Sequence, residues 1–252
     1  DAANYTQNTS TTTTADITAK ALAVTITASN KTYDRTTTAS VTYADDRIAG
    51  DILTVSGTPS FADKNAGTGK TVTATGITIT GTDAANYTQN TTATTTANIT
   101  LRALNVTATA SNKTYDRTTA ASVTLADDRV AGDTLSITYS SSTFATKTAG
   151  TGKTVTIAGI SISGTDAANY TQNTSTTTTA DITTKTLTVT ITASNKTYDR
   201  TTAASVTYAD DRIAGDILTV SGVATFATKT VANGKTVTAS GITLTGTDAA
   251  NY

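Results

Sequence analysis

The chain contains no histidine, cysteine, methionine or tryptophan and a single proline, and it has no glutamate, so all 19 acidic residues are aspartates. Without His or Cys there is no side chain that shuttles protons near neutral pH, no thiol nucleophile and no soft metal ligand. Most hydrolytic and redox chemistry is thereby set aside, and an enzyme is not expected. The lack of cysteine also excludes a disulfide-dense scaffold. No apolar run reaches the roughly eighteen residues of a membrane-spanning helix, and no basic-plus-apolar signal stands at the start. Eighteen Lys and Arg balance the aspartates to a net charge of −1, with the signs interspersed. Nothing here marks a surface for nucleic acid or membrane insertion. A chain rich in Thr and free of oxidisable sulfur suits an extracellular setting, on a bacterial cell surface or secreted.

What the chain does have is repetition. Asp-Ala-Ala-Asn-Tyr begins at Asp1, Asp83, Asp166 and Asp248, in steps of 82, 83 and 82 residues. A fixed period of this kind makes each unit one structural module and the chain a tandem array. The boundaries follow: 1–15 a closing strand of a preceding repeat, 16–97 and 98–180 two modules, and 181–252 a third without its closing strand. The start in mid-repeat, with no initiator Met, implies an interior piece of a longer polypeptide.

Within a repeat the apolar residues alternate. Leu22, Val24 and Ile26 take turns with Ala23, Thr25 and Thr27, placing apolar groups on one face of a strand. The alternation returns at Val41 and Tyr43, Leu53 and Val55, Val72, Ile77 and Ile79, and no window carries a helical stripe. Turn clusters at Ser29–Lys31, Ala44–Asp46, Asn65–Gly67 and Gly81–Asp83 separate the runs. The fold class is therefore all-β: tandem immunoglobulin-like antiparallel β-sandwich repeats of about 82 residues, forming an elongated rod. Each module would add about 35 to 45 Å at roughly 3.3 Å per residue. The Thr-rich stretch Thr11–Thr14, with its equivalents Thr94–Ile99 and Thr176–Ile182, is expected to be a long edge strand rather than a flexible tether, since β-branched residues fit a pleat and neither Gly nor Pro interrupts it.

Three segments, 30–37, 112–119 and 195–202, carry Asn-Lys-Thr-Tyr-Asp-Arg-Thr-Thr. With Ala15–Leu22, Gly69–Val72 and Gly81–Thr88, they resemble the signature of the YDG repeat domain of large bacterial surface and haemagglutinin-like adhesin proteins. The resemblance covers essentially the whole chain and implies all-β modules in tandem, serving as stalk or spacer. It brings no catalytic residues. The signature residues are Tyr33, Asp34 and Arg35, then Tyr115, Asp116 and Arg117, then Tyr198, Asp199 and Arg200. Arg stands where the family usually has Gly, a residue that marks positive φ. Either the turn tolerates Arg, or a carboxylate such as Asp45 or Asp46 holds it across the hairpin.

Other candidate sites are few. Asp45, Asp46 and Asp51, with Asp127, Asp128, Asp133 and Asp210, Asp211, Asp216, could offer calcium several oxygens. Arg47, Arg129 and Arg212 sit inside these clusters, which favours Asx turns with local ion pairs; no cofactor is expected beyond that calcium possibility. Tyr5, Tyr87, Tyr170 and Tyr252 read as corner tyrosines, the ring in the sandwich and the hydroxyl tying down a loop, and Tyr33, Tyr115 and Tyr198 read likewise.

The expected function is a structural spacer in an extracellular adhesin stalk or fibre, of the kind found in biofilm matrix. Its partners would be the neighbouring repeats and, end to end, other copies of itself. Two alternatives stand beside it. One is a filament subunit joined by strand complementation, since residues 1–15 supply the strand that 181–252 lacks. The other is a multivalent repeat that binds glycans or a host protein.

Overall fold

The computed structural model describes residues 1–252 and shows an all-β chain in tandem repeats. The only helical turns are three-residue 3-10 segments at each Asp-Ala-Ala-Asn-Tyr, such as Ala84–Asn86 and Ala167–Asn169. Packing divides the chain into two compact units. The first is Asp1–Ala103 with Val130–Asp133 and Thr165–Thr171, and the second is Leu104–Arg129, Thr134–Gly164 and Gln172–Tyr252. The first unit thus takes in two short pieces of the second repeat.

In the first unit, Thr25–Ala28 pairs antiparallel with Val41–Ala44. A four-stranded sheet runs in the order Lys31–Thr32, Thr92–Thr100, Gly67–Thr80, Thr54–Phe61. The pairing of Lys31–Thr32 with Thr92–Thr100 is parallel, and so is that of Lys20–Leu22 with Tyr87–Gln89. The sheets are therefore mixed where an antiparallel arrangement was expected. Nearly a whole repeat of chain separates the partners in each case, which is ample for the crossover that a parallel pair needs. Along Thr92–Ala97 the Thr-rich strand pairs on one side only, with Gly67–Thr80, and it gains a second neighbour just at its end, where Ile99 pairs on both sides, whereas Thr11–Thr14 forms no strand. The alternation read from the sequence sets the core, with Leu22, Val24 and Ile26 buried and Ala23, Thr25 and Thr27 exposed. Tyr33, Val72, Ile77 and Ile99 complete it, each at 0 or 1% exposure.

The second unit repeats the plan with Val106–Ala110 against Val123–Asp127 and a sheet ordered Lys113–Thr114, Ser175–Thr183, Gly150–Ala158, Ser141–Phe144. It then adds two antiparallel pairs from the third repeat: Val189–Ala193 with Val206–Asp210, and Thr219–Phe226 with Val237–Thr245. Nothing pairs with the second edge of Val237–Thr245, and its sheet has two strands.

An asparagine ties the two ends of a repeat together. Asn90 accepts the Val24 amide at 2.7 Å and donates to the Val24 carbonyl at 3.0 Å. Asn173 does the same with Val106 at 2.7 and 3.0 Å. This explains the recurrence of Thr-Gln-Asn, which the sequence pattern alone leaves without a reason. A side-chain amide that satisfies both polar groups of one residue imitates a strand partner.

Candidate functional site

The signature segment begins as an Asx turn. Asp34 Oδ1 accepts the Thr36 amide at 2.8 Å and the Lys31 ammonium at 2.7 Å, and Lys31 also reaches the Thr36 carbonyl at 2.8 Å. Asp116 and Asp199 repeat the arrangement with Thr118 and Thr201. The turn forces its middle residue left-handed, with φ of 67° at Arg35, 67° at Arg117 and 65° at Arg200. These are the chain's only positive-φ residues other than glycine. Such a conformation costs a residue with a Cβ about 1 to 2 kcal/mol.

What Arg35 meets is neither Asp45 nor Asp46, but Asp133, Nε to Oδ1 at 2.9 Å. Its Nη1 also donates to the Ala131 carbonyl at 3.3 Å. The Asp133 side chain is wholly buried and accepts two tyrosine hydroxyls as well, Tyr33 at 3.1 Å on Oδ1 and Tyr170 at 2.6 Å on Oδ2. The two rings meet edge to face at 5.4 Å, a favourable arrangement of their quadrupoles. Tyr170 in turn accepts the Val130 amide at 2.9 Å. Gly132 permits the approach: it has φ of +90°, and a Cβ there would stand 2.4 Å from Arg35 Nη1. Beside this node, Lys64 pairs with Asp166 at 3.3 Å and Asn169 Oδ1 accepts the Ala66 amide at 2.8 Å. Tyr33, Arg35, Lys64 and Ala66 belong to the first repeat and the rest to the second, so the node is a junction between successive repeats.

The second unit builds the same junction again. Asp216 accepts Tyr115 at 3.0 Å, Tyr252 at 2.6 Å and Arg117 Nε at 3.1 Å. Arg117 also donates to the Ala214 and Gly215 carbonyls, each at 2.9 Å. Asn251 accepts the Ala149 amide at 2.9 Å, as Asn169 accepts that of Ala66. Burial, followed by the Asp216 hydrogen bond, pushes Tyr115 up to about 12. Burial and Asp133 push Tyr170 up to about 12 and raise Tyr33 as well. Asp51, the equivalent carboxylate of the first repeat, has Tyr87 but no Tyr–Arg pair from another repeat. At the other extreme, Tyr198 is 54% exposed and neither it nor Arg200 has a partner.

The acidic clusters proposed for calcium are dispersed by their own partners. Asp45, Asp127 and Asp210 take the neighbouring Arg47, Arg129 and Arg212, Nε to Oδ1 at 2.7, 2.8 and 2.7 Å. Those guanidinium hydrogen bonds hold the three carboxyls below the usual range. Asp46, Asp128 and Asp211 accept the Ala23, Asn105 and Thr188 amides at 2.8, 2.8 and 2.7 Å. Asp51, Asp133 and Asp216 face tyrosines. No group of three or more acidic side chains is placed to hold a metal ion.

Tyr87, Tyr170 and Tyr252 each accept an amide of the loop just before that aspartate, from Ile48, Val130 and Ile213, which ties the loop down. Tyr33 and Tyr115 differ from the corner role expected of them: their hydroxyls reach aspartates 100 and 101 residues away. Sequence reasoning missed the junction because its halves lie a repeat apart. Its traces were a recurrent Arg at a glycine position and a third Asp that no local ion pair used.

A family model described as the YDG domain matches residues 18–97, 100–179 and 183–252. No curated protein and no solved structure matches the chain.

Proposed function

The chain belongs to the YDG domain family, and on that premise we propose that it is a structural spacer: a run of immunoglobulin-like sandwich modules that form a stiff, elongated stalk or fibre segment of an extracellular bacterial adhesin. In this reading it carries no catalysis and requires neither cofactor nor calcium. The modules hold another domain away from the cell or build matrix. The observation that supports it is the junction. The signature Tyr and Arg of one repeat are committed to a buried Asp of the next, twice over, with closely matching geometry. Opening such a node strands a buried carboxylate, which costs several kcal/mol and resists bending where a flexible linker would yield. The rival reading as a glycan- or host-binding repeat calls for aromatic faces exposed in every copy, whereas Tyr33, Tyr87, Tyr115 and Tyr170 lie at 6% exposure or less. Electron microscopy of the native surface material tests the proposal. Straight rods with a periodicity of one module, ending in a distinct head, are expected. Beaded, freely bending chains would refute it.

A further inference from the structure

We propose that each repeat is a clamp for tension, in which its first and last strands lie side by side, run the same way and are drawn past one another when the chain is stretched. Three stations hold them together in the first repeat. Lys20–Leu22 pairs parallel with Tyr87–Gln89. Next, Asn90 clasps both backbone polar groups of Val24. The strand Thr25–Ala28 then turns away to pair with Val41–Ala44. Beyond it contact resumes: Asn30 Oδ1 accepts the Asn98 amide at 2.7 Å, Lys31 and Thr32 pair parallel with Ile99 and Thr100, and the Tyr33 amide donates to the Thr100 carbonyl at 2.9 Å. At the two asparagine stations the partners lie 66 and 68 residues apart, so the segments keep nearly one register along their length.

The second repeat builds the same three stations. Arg102–Leu104 lies beside Tyr170–Gln172, and Asn173 clasps Val106. The Asp181 amide donates to Asn112 at 2.7 Å, where Lys113 and Thr114 pair parallel with Ile182 and Thr183. Covalent connection decides how such a pair is strained. In a tandem chain tension enters a repeat through its first strand and leaves through its last, so Lys20 is pulled toward the N-terminus and Thr100 toward the C-terminus. Because the strands are parallel, these two points lie at opposite ends of the pair. The pull therefore runs along the strands and across their hydrogen bonds, which must break together. Had the strands been antiparallel, both points would lie at one end and the bonds would open one after another. The asparagines act where backbone pairing lapses, since a side-chain amide offers a peptide group the same donor and acceptor as a strand does. The role of the clamp rests on the stalk reading, which supplies the tension, while the strand geometry stands without it.

The chain has no cysteine of its own, so introduced pairs define the direction of pull on the full chain. Exposed positions confine that pull to the first repeat. Ala21→Cys with Leu101→Cys draws the strands lengthwise, and Ala21→Cys with Thr88→Cys, a directly opposed pair, peels them apart. With handles attached in an optical trap, the first axis should need at least about twice the unfolding force of the second at the same loading rate. Asn90→Ala, which removes both bonds to Val24, should shorten the lifetime under constant force on the first axis about tenfold. Equal forces along the two axes, or a lower force along the first, would overturn the proposal, and so would an unchanged lifetime in Asn90→Ala. Straight rods in electron microscopy together with equal forces would leave the spacer reading standing and remove the clamp. A higher force on the first axis together with freely bending chains would do the reverse.

Discussion

Replacing Asp133 by Ala should destabilise the first unit far more than replacing Asp51, its counterpart one repeat earlier. Asp133 accepts two hydroxyls from tyrosines at 0 and 5% exposure, together with the Arg35 guanidinium. A buried hydroxyl left without its acceptor costs about 1 to 3 kcal/mol. Arg35 has a side chain 43% exposed, so water takes over its partner's role and its ion pair contributes about 1 kcal/mol at most. Asp133→Ala should therefore cost about 3 to 5 kcal/mol. Asp51 accepts from Tyr87 alone, and Asp51→Ala should cost about 1 to 2 kcal/mol. Both aspartates belong to the same compact unit, so one set of reporters serves both. Native-state hydrogen exchange at the amides of Val72 and Ile99, in the centre of that unit's core, reads the two costs directly. Equal losses, within about 0.5 kcal/mol, would refute the assignment of the junction as the place where Asp133 acts.

Arg200→Gly should stabilise the chain by about 1 kcal/mol in urea denaturation, because it relieves a φ of 65° where no partner rewards Arg; Arg117→Gly, at the same φ but paired with Asp216, should show no such gain. Tyr43→Phe and Tyr208→Phe should be neutral or stabilising by up to about 1 kcal/mol in the same assay, since both hydroxyls are buried without a partner and the second repeat already carries Leu125 at this place. Alkaline pH should weaken the junctions. Burial and the aspartates raise Tyr115 and Tyr170 to about 12, above the value of about 10 in the unfolded chain. Their stabilisation is thus fully present below pH 10 and is lost as pH rises from about 10 to about 12, where the unfolded state ionises first. A denaturation midpoint that stays constant across that window would contradict the burial of these hydroxyls.

The repeat and its β character were legible in the sequence because both are periodic signals, and the buried Leu22, Val24 and Ile26 follow directly from alternation. The parallel strand pairs were not legible, since pattern tells which face is buried but not which neighbour a strand takes. The junction was half legible. Arg35 announced a positive φ, but its partner had to be sought across 98 residues, and a nearer carboxylate at Asp45 or Asp46 looked sufficient. Asp45 was in fact already committed to Arg47, and Asp46 to the Ala23 amide. Exposure of the third repeat was likewise hidden, because Val237 and Ile242 occupy the same pattern as Val72 and Ile77 and differ only in what covers them.

The central proposal is that the Tyr–Arg–Asp junction stiffens the link between successive repeats. Small-angle X-ray scattering of the chain, with and without Asp133→Ala and Asp216→Ala together, tests it most directly. The account predicts a narrow distance distribution for the parent chain, which broadens toward that of independently moving modules when both aspartates are removed. Identical profiles for the two, or a parent chain that already scatters as freely jointed modules, would contradict it.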